Sequence, residues 1–299
     1  MINVIGSDKM RLFTGGLWKY TETPSAQGGD EEFNITENGK VYRVHVFKSN
    51  GTLTVGKGGT VESLLVAGGG GGVNGGGGAG GYLEEGLLLP SGNLNITVGL
   101  GGAGVSVNSP RSVGLNGGNS VLEGLTAIGG GGAGSVNNEG GTAKDGGSGG
   151  GSSTDSTGYS YGGEGVAGQG FPGGDNGKSS SGNPHPAGGG GGAGEAGEDG
   201  SGNSYSGAGG DGLQSTITGL SVFYAGGGGA STYAESGGMV NVGGLGGGGD
   251  ASFGVGNNGE DNTGGGGGGS NGSGYGGSGY GGSGGSGIVI IRYILGEEA

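Results

Sequence analysis

The side chains that most often carry out chemistry in proteins are scarce in this sequence. It has two histidines, His45 and His185, and no cysteine. His45 lies in an alternating Val-His-Val segment typical of a β-strand, so we assign it a structural role. His185 lies in an Asn-Pro-His-Pro segment typical of a loop. Neither has neighbours at the spacing of a catalytic triad or a metal-ligand pair. We therefore expect no enzymatic activity, no metal site and no cofactor.

Three features resemble ligand-binding motifs in part. Residues 172–179 end like a P-loop, but proline replaces the first glycine. Residues 206–214 differ by one position from a calcium-binding nonapeptide, and such a site needs tandem copies, of which we find one. The third feature is two acidic clusters, at Glu195, Glu198 and Asp199 and at Glu260 and Asp261. Carboxylates are the ligands that calcium prefers, but we interpret these clusters as solvated loop charges.

Glycine dominates the composition and limits the fold. It provides 99 of the 299 residues, whereas proline provides 6, and pure glycine runs break any triplet period, which excludes collagen. Glycine loses more backbone entropy on folding than any other residue. With 29% hydrophobic residues, a conventional core cannot offset that loss across the chain. The glycine-rich part must therefore stay disordered or use glycine itself as its packing unit.

The net charge of −14 disfavours nucleic acids and anionic membranes as partners, because both attract basic surfaces. The first residues lack the charged and apolar regions of a signal peptide. The longest apolar run, Ile288–Ile291, is too short to span a bilayer. We therefore expect the protein to be made in the cytosol and to leave, if it leaves, by a route such as cell lysis.

Alternating and β-branched segments predict an all-β frame. The pair Asn38-Gly39 between two alternating segments predicts a β-hairpin, since both turn positions need positive φ. No segment keeps a helical apolar period over three turns, so we expect no helix. The predicted strands of the frame lie within residues 41–67, 94–98, 120–128, 216–224 and 287–294.

Seven runs of four or more glycines lie between the predicted strands, at 68–72, 75–78, 129–132, 188–192, 226–229, 246–249 and 264–269. In three places an apolar strand leads directly into glycine, at Leu64–Gly70, Leu125–Gly131 and Val222–Gly228. This repeated pattern favours order, although strands ending in flexible linkers are the alternative. Ordered glycine runs can form extended threefold polyglycine II helices, which pack closely because they lack Cβ atoms. We therefore predict a slab of such helices joined by surface loops.

The segments 41–55 and 61–72 and the ending Gly-Gly-Ser-Gly-Ile-Val-Ile-Ile-Arg-Tyr293 resemble the glycine-rich domains of bacteriophage tail-fibre and receptor-binding proteins. The resemblance covers about residues 41–294. It implies a virion protein whose distal loops contact a host receptor. A similar arrangement, polyglycine helices inserted in a tumour-necrosis-factor-like β-sandwich, occurs in the anaplastic lymphoma kinase receptor family. This likeness suggests such a sandwich as the frame here.

From these observations we expect two regions. Residues 1–40 form an attachment arm that docks onto another virion protein, and residues 41–299 form the glycine-rich domain. We expect the function to be host attachment by a tail-fibre or tail-tip adhesin in the virion, released by lysis. The alternatives are a head or tail decoration protein with a mechanical role and, less favoured, an ice-binding protein.

Aromatic side chains on the predicted loops suit recognition of a sugar or a protein, although they could equally cover the glycine backbone. We expect the partner to be a host surface glycan or an outer-membrane protein, with no nucleic acid bound, and we leave a homotrimer open. The predicted receptor-binding residues are Tyr159, Tyr161, Phe171, His185, Tyr205, Tyr233 and Phe253.

Overall fold

The computed structural model describes residues 11–12, 18–19, 23–107, 113–134, 142–153, 160–177, 185–201, 205–233, 239–271 and 279–297. These residues form strands, turns and extended segments, and none of them lies in a helix, so the predicted all-β class is confirmed. The strands are β1 (Arg11–Leu12), β2 (Trp18–Lys19), β3 (Ser25–Gln27), β4 (Glu31–Glu37), β5 (Lys40–Phe47), β6 (Gly51–Lys57), β7 (Gly59–Val66), β8 (Tyr82–Leu89), β9 (Gly92–Ile96), β10 (Ser120–Leu122), β11 (Leu125–Ala127), β12 (His185–Pro186), β13 (Leu213–Ser215), β14 (Val222–Tyr224), β15 (Thr232–Tyr233) and β16 (Ile288–Glu297).

Two antiparallel sheets form a sandwich, which we call the β frame. The larger sheet has the strand order β4-β5-β16-β7-β8, and the smaller sheet has the order β3-β6-β9. The last strand of the chain, β16, is thus the central strand of the larger sheet. Its alternate side chains Val289, Ile291 and Tyr293 pack against Leu53 and Ile96 of the smaller sheet. Each fully buried apolar side chain of this kind stabilises the fold by about 1.5–3 kcal/mol.

The other face of the larger sheet is also buried. Strands β13 and β14 form a hairpin, and Ile217 and Tyr224 from this region pack on Val44, Leu64 and Ile290. This burial explains why β7 and β16 are apolar on both faces, as the runs Leu64–Val66 and Ile288–Ile291 show.

Polar contacts fix the same hairpin to the sheet. Ser215 Oγ donates to Glu84 Oε1 at 3.0 Å, and the Tyr82 hydroxyl donates to the other carboxylate oxygen. Burial, together with Glu84, raises the pKa of Tyr82. Arg292 forms ion pairs with Glu37 at 3.2 Å and Glu62 at 2.7 Å. These contacts link the hairpin to β8, and β16 to β4 and β7.

The predicted turn at Asn38-Gly39 is present, with φ values of 51° and 71°. Two predicted strands, however, are interrupted. Residues 216–224 contain a turn at Gly219, with φ of 85°, and only Val222–Tyr224 is strand there. Residues 120–128 form the hairpin β10-β11, which turns at Gly124 with φ of 85°. In both places a positive-φ glycine ends the strand, since an extended strand needs negative φ.

The frame begins earlier than the predicted boundary at residue 41. Strand β3 pairs with β6 in the smaller sheet, and β4 pairs with β5 in the larger sheet. Residues 25–37, assigned from the sequence to an attachment arm, are therefore part of the frame. The side chains of Phe33 and Ile35 pack against the buried cluster beneath the β13-β14 hairpin. An arm that docks onto another protein stays a prediction for the residues before Ser25.

Between the strands, glycine-rich segments run side by side as extended rods that together form a slab. Strands β7, β11 and β14 each continue directly into a rod, as the repeated sequence pattern predicted. On rod 67–73, backbone amides three residues apart donate to carbonyl groups of the same neighbouring segment. The amides of Ala67 and Gly70 donate to the carbonyls of residues 81 and 78. Those of Gly68 and Gly71 donate to residues 118 and 115, and those of Gly69 and Gly72 to residues 285 and 282. These three neighbours run antiparallel to rod 67–73.

The carbonyl groups of rod 67–73 accept hydrogen bonds from three further rods. The donors are the amides of Gly102 and Val105, Gly130 and Ala133, and Gly267 and Ser270. Six neighbours therefore enclose this rod. The rods 75–81 and 264–270 have six neighbours in the same way. The buried backbone groups of the slab are thus satisfied by one another rather than by water.

Glycine is required in the enclosed rods by the closeness of neighbouring backbones. A Cβ added to Gly70 would lie 2.2 Å from the carbonyl oxygen of Gly131, and one added to Gly77 would lie 2.1 Å from that of Gly70. The run 246–249 is an exception to the predicted rods. Gly246 and Gly247 have φ values of 101° and 88° and form the turn between two rods.

Candidate binding surface

The rods lead away from the β frame and turn back at a common surface, which we call the tip. Four contacts show that rods of different sequence position end together: the amides of Ser231, Ser270, Val105 and Ala133 donate to the carbonyls of Asn74, Val73, Gly72 and Gly71. The tip is defined as residues 73–75, 105–107, 133–134, 152–153, 160–161, 176–177, 185–186, 201, 205–206, 231–233, 239–240, 252–255, 270–271 and 279–280.

Six of the seven predicted receptor-binding residues lie in the described part of the chain, and five of the six are at the tip. Tyr161 and Tyr205 have exposed fractions of 63% and 62%, and Phe253 is 51% exposed on the tight turn 252–255. His185 and Tyr233 are directly paired in the ribbon β12-β15. Tyr159 lies outside the described residues.

Phe171 lies at the opposite end of its rod from the tip. Its amide donates to Gly192, near the turn at residues 193–195, which adjoins Ala225 beside the frame. Its ring is 45% exposed. The structure therefore does not bring Phe171 together with the other predicted binding residues.

Tyr205 is close to the β12-β15 ribbon along the backbone. The amide of Gly207, two residues further on, donates to Ala187, and the amide of Thr232 donates to Met239. Ser206 Oγ also donates to the carbonyl of Met239, at 3.4 Å. Three predicted residues, His185, Tyr205 and Tyr233, thus lie on adjacent backbone segments. Met239, which is 43% exposed, is an apolar neighbour that the sequence prediction missed.

A second group of exposed side chains lies elsewhere on the tip. The backbone of Tyr280 pairs with that of Val255, and these side chains are 48% and 61% exposed. Phe253 is on the same turn as Val255. Tyr280 is not among the predicted receptor-binding residues. Its place on a rod could have been predicted from a three-residue period, since the residues with side chains there are Tyr280, Ser283 and Ser286.

The tip also contains buried polar atoms without a hydrogen-bond partner. They are Asn74 Oδ1, Ser152 Oγ, Ser153 Oγ and Asn271 Oδ1, and their residues are at most 4% exposed. Asn74 Nδ2 donates to the carbonyl of Ser270 at 2.9 Å, which places Asn74 beside Asn271. Buried polar groups are normally paired, so these four atoms mark a place where a further donor or acceptor fits.

The acidic residues have a structural role along the sides of the slab. Outer rods have amides that face no further rod, and carboxylate oxygens accept from several of them. Asp145, Asp175, Asp211 and Asp250 accept from the amides of Glu164, Gly162, Leu245 and Gly243, at 2.8, 2.8, 2.8 and 2.9 Å. Asn258 accepts in the same way from Ser283 at 2.9 Å. Asp211, the aspartate of the segment that resembles a calcium-binding nonapeptide, therefore accepts a hydrogen bond from a backbone amide.

The acidic clusters show the same pattern. Asp199 accepts from the amide of Asp175, Glu198 from that of Ala208, and Asp261 from that of Ser286. Within the described residues, no group of three or more His, Cys, Asp or Glu side chains could hold a metal ion. Of the P-loop-like stretch, residues 172–177 lie in an extended rod, whereas Lys178 and Ser179 are outside the described part.

His45 is buried in the frame, as its strand context predicted. Its side chain is fully buried, with Nδ1 2.7 Å from the carbonyl of Gly28 and Nε2 3.3 Å from the hydroxyl of Tyr293. Burial lowers the pKa of His45, although the Gly28 hydrogen bond and nearby Glu32 act in the opposite direction. The imidazole therefore links β5 to β16 and to the turn after β3.

The features described so far are those of a chain built around glycine packing, and a comparison with protein families agrees. The family described as Glycine-rich domain matches residues 44–294. The chain belongs to this family. The match begins within β5 and ends within β16, so it includes the slab and most of the larger sheet. No curated protein matches the chain. Among the described residues, no helix is long and apolar enough to cross a membrane.

Proposed function

We propose that this protein is a non-enzymatic structural protein of a bacteriophage particle, a tail-fibre or tail-tip adhesin that binds a host surface receptor through its tip. The observation that carries the proposal is the placement of the exposed aromatic side chains. Tyr161, Tyr205, Phe253 and Tyr280 lie where the slab is farthest from the β frame. The sequence resemblance to phage receptor-binding proteins supplies the virion context.

We also infer that the rods are polyglycine II helices. The support is the hydrogen-bond cycle of rod 67–73, in which amides three residues apart donate to the same neighbour. A threefold helix repeats its donor direction every three residues, and a β-strand does so every two. In a crystal structure, we expect φ near −75° and ψ near +145°, with about 3.1 Å rise per residue, in rod 67–73 and in residues 265–270.

A slab of this kind is a suitable support for recognition loops. The rods are held by backbone hydrogen bonds, so side chains at the tip can change without loss of packing inside the slab. Binding residues commonly lie on loops that a rigid scaffold positions. Both β3 and the last strand β16 belong to the frame, so the segment before Ser25 is available to join another virion protein while the tip faces outward.

The test uses intact phage particles from the strain that carries the coding sequence. Mass spectrometry and immunogold labelling should locate the protein at the tail. The triple variant Tyr161→Ala, Tyr205→Ala and Phe253→Ala should assemble but adsorb to host cells at least tenfold less. Phe223→Ala, an exposed aromatic of the β13-β14 hairpin, is the matched control. Labelling on the capsid with unchanged adsorption would instead support the decoration role.

A further inference from the structure

We infer that the tip recognises an uncharged, hydroxyl-rich ligand, namely a neutral polysaccharide on the host surface. The inference rests on the proposed function and specifies its receptor. Three features occur together at the tip and support the inference. Its described residues include no Asp, Glu, Lys or Arg, aromatic rings are exposed there, and several buried polar atoms lack a hydrogen-bond partner. Each feature is independent of the others.

The distribution of charge separates the tip from the rest of the molecule. The whole chain has 25 carboxylates and a net charge of −14. The described tip residues include no Asp, Glu, Lys or Arg, and His185 is the one titratable cation there. Among the described residues, the carboxylates nearest to it in sequence are Asp175, Asp199 and Asp250, and they accept hydrogen bonds from amides of neighbouring rods.

A surface that bound an anionic polymer would concentrate cations, and one that bound a basic protein would concentrate carboxylates. This surface does neither.

The exposed side chains suit the faces of sugar rings. Tyr161 and Tyr205 are more than 60% exposed, and Phe253 and Tyr280 are about half exposed. An aromatic ring offers a flat apolar face, and tyrosine adds a hydroxyl that can pair with a ligand hydroxyl. Tyr161, Tyr205 and the neighbouring pair Phe253 and Tyr280 lie on separate segments of the chain, so the rings occupy more than one place on the tip. Such a spread fits an extended chain of sugars.

The unpaired atoms point to the same chemistry. The oxygens Asn74 Oδ1 and Asn271 Oδ1 can only accept hydrogen bonds, and neither has a donor. Sulfate, phosphate and carboxylate groups are also acceptors and cannot satisfy them. A hydroxyl group can donate to them through a water molecule held between ligand and protein. Ser152 Oγ and Ser153 Oγ, also unpaired, can donate or accept.

The experiment tests the chemical class of the receptor separately from the proposed function of host attachment. Full-length protein is bound to host cells that are untreated, treated with periodate to cleave sugar diols, or treated with protease. We expect binding to fall at least tenfold after periodate and to persist after protease. Binding should change less than twofold between 50 mM and 500 mM salt, because recognition without charge is little screened. On a glycan array, neutral oligosaccharides should be bound and their sulfated forms should not.

Variants assign the effect to the tip. Tyr205→Ala should weaken array binding at least tenfold, and Phe223→Ala should not. Loss of cell binding after protease alone, or array binding restricted to anionic glycans, overturns the neutral-polysaccharide inference while leaving adhesion intact. Absence of binding to untreated cells contradicts the proposed function itself. Circular dichroism of each variant confirms that it is folded as the wild type is.

Discussion

At the scale of single residues, the slab depends on the absence of Cβ atoms where backbones meet. Gly70 is such a position, with a neighbouring carbonyl oxygen 2.2 Å from where its Cβ would be. Gly70→Ala should lower the free energy of unfolding by about 3 kcal/mol or more, because neighbouring rods must separate. Gly86→Ala is the control, since its Cβ would lie 3.8 Å from the nearest atom. Chemical denaturation of both variants measures the difference, and equal stabilities would contradict close rod packing.

His45 makes the stability of the frame sensitive to pH. Burial lowers its pKa below the ordinary value of 6.5, so the folded state favours the neutral imidazole. The stabilisation is therefore complete above pH 6.5 and is lost as pH falls below it. We expect the urea midpoint to drop between pH 7.5 and pH 5, and the drop to be smaller in His45→Gln. An equal drop in both proteins would show that other groups cause it.

At the scale of elements, the outer rods need acceptors for their outward-facing amides. Asp211 Oδ1 accepts from the amide of Leu245 at 2.8 Å. Asp211→Ala removes that acceptor and should cost about 1 kcal/mol, whereas Asp211→Asn keeps an amide oxygen and should be close to wild type. Thermal unfolding of the two variants distinguishes the roles. If Asn is as damaging as Ala, the carboxylate charge matters and not its acceptor function.

The secondary-structure elements differ in how well they can be predicted from their sequences. The turn at Asn38-Gly39 was predictable because a two-residue hairpin turn with positive φ twice favours that pair. Residues 216–224 were predicted as one strand because their apolar content is high, but Gly219 turns the chain there. Strand β8 was missed, since Glu84, Glu85 and Gly86 interrupt its apolar pattern. It forms because β7 offers a pairing edge, which is tertiary information.

The tip was predictable in part. Aromatic side chains between glycine runs indicated Tyr161, Tyr205 and Phe253, which are exposed there. Phe171 has the same local sequence character, yet its rod places it near the frame. Whether a loop lies at one end of the slab or the other depends on the count of rods before it. A local pattern does not contain that count.

At the scale of the whole molecule, the slab should behave as a cooperative unit despite its glycine content. The amides of rods 67–73, 75–81 and 264–270 donate almost without exception to other backbone groups. In hydrogen-exchange mass spectrometry, we expect peptides from 67–81 and peptides from β16 to remain protected for hours. A flexible glycine linker would exchange within seconds. Rapid exchange in 67–81 with protection in β16 would mean that the frame folds without the slab.

The three-residue cycle of hydrogen bonds also limits how such a protein can diverge. Adding one residue inside rod 67–73 would shift every later amide to the wrong neighbour. Length changes within enclosed rods should therefore be tolerated in multiples of three, and only when glycine fills the added positions. Segments between rods carry no such restriction. Over generations, the interior of the slab would keep its three-residue period, whereas the length and composition of the tip could change without disturbing the packing of the rods.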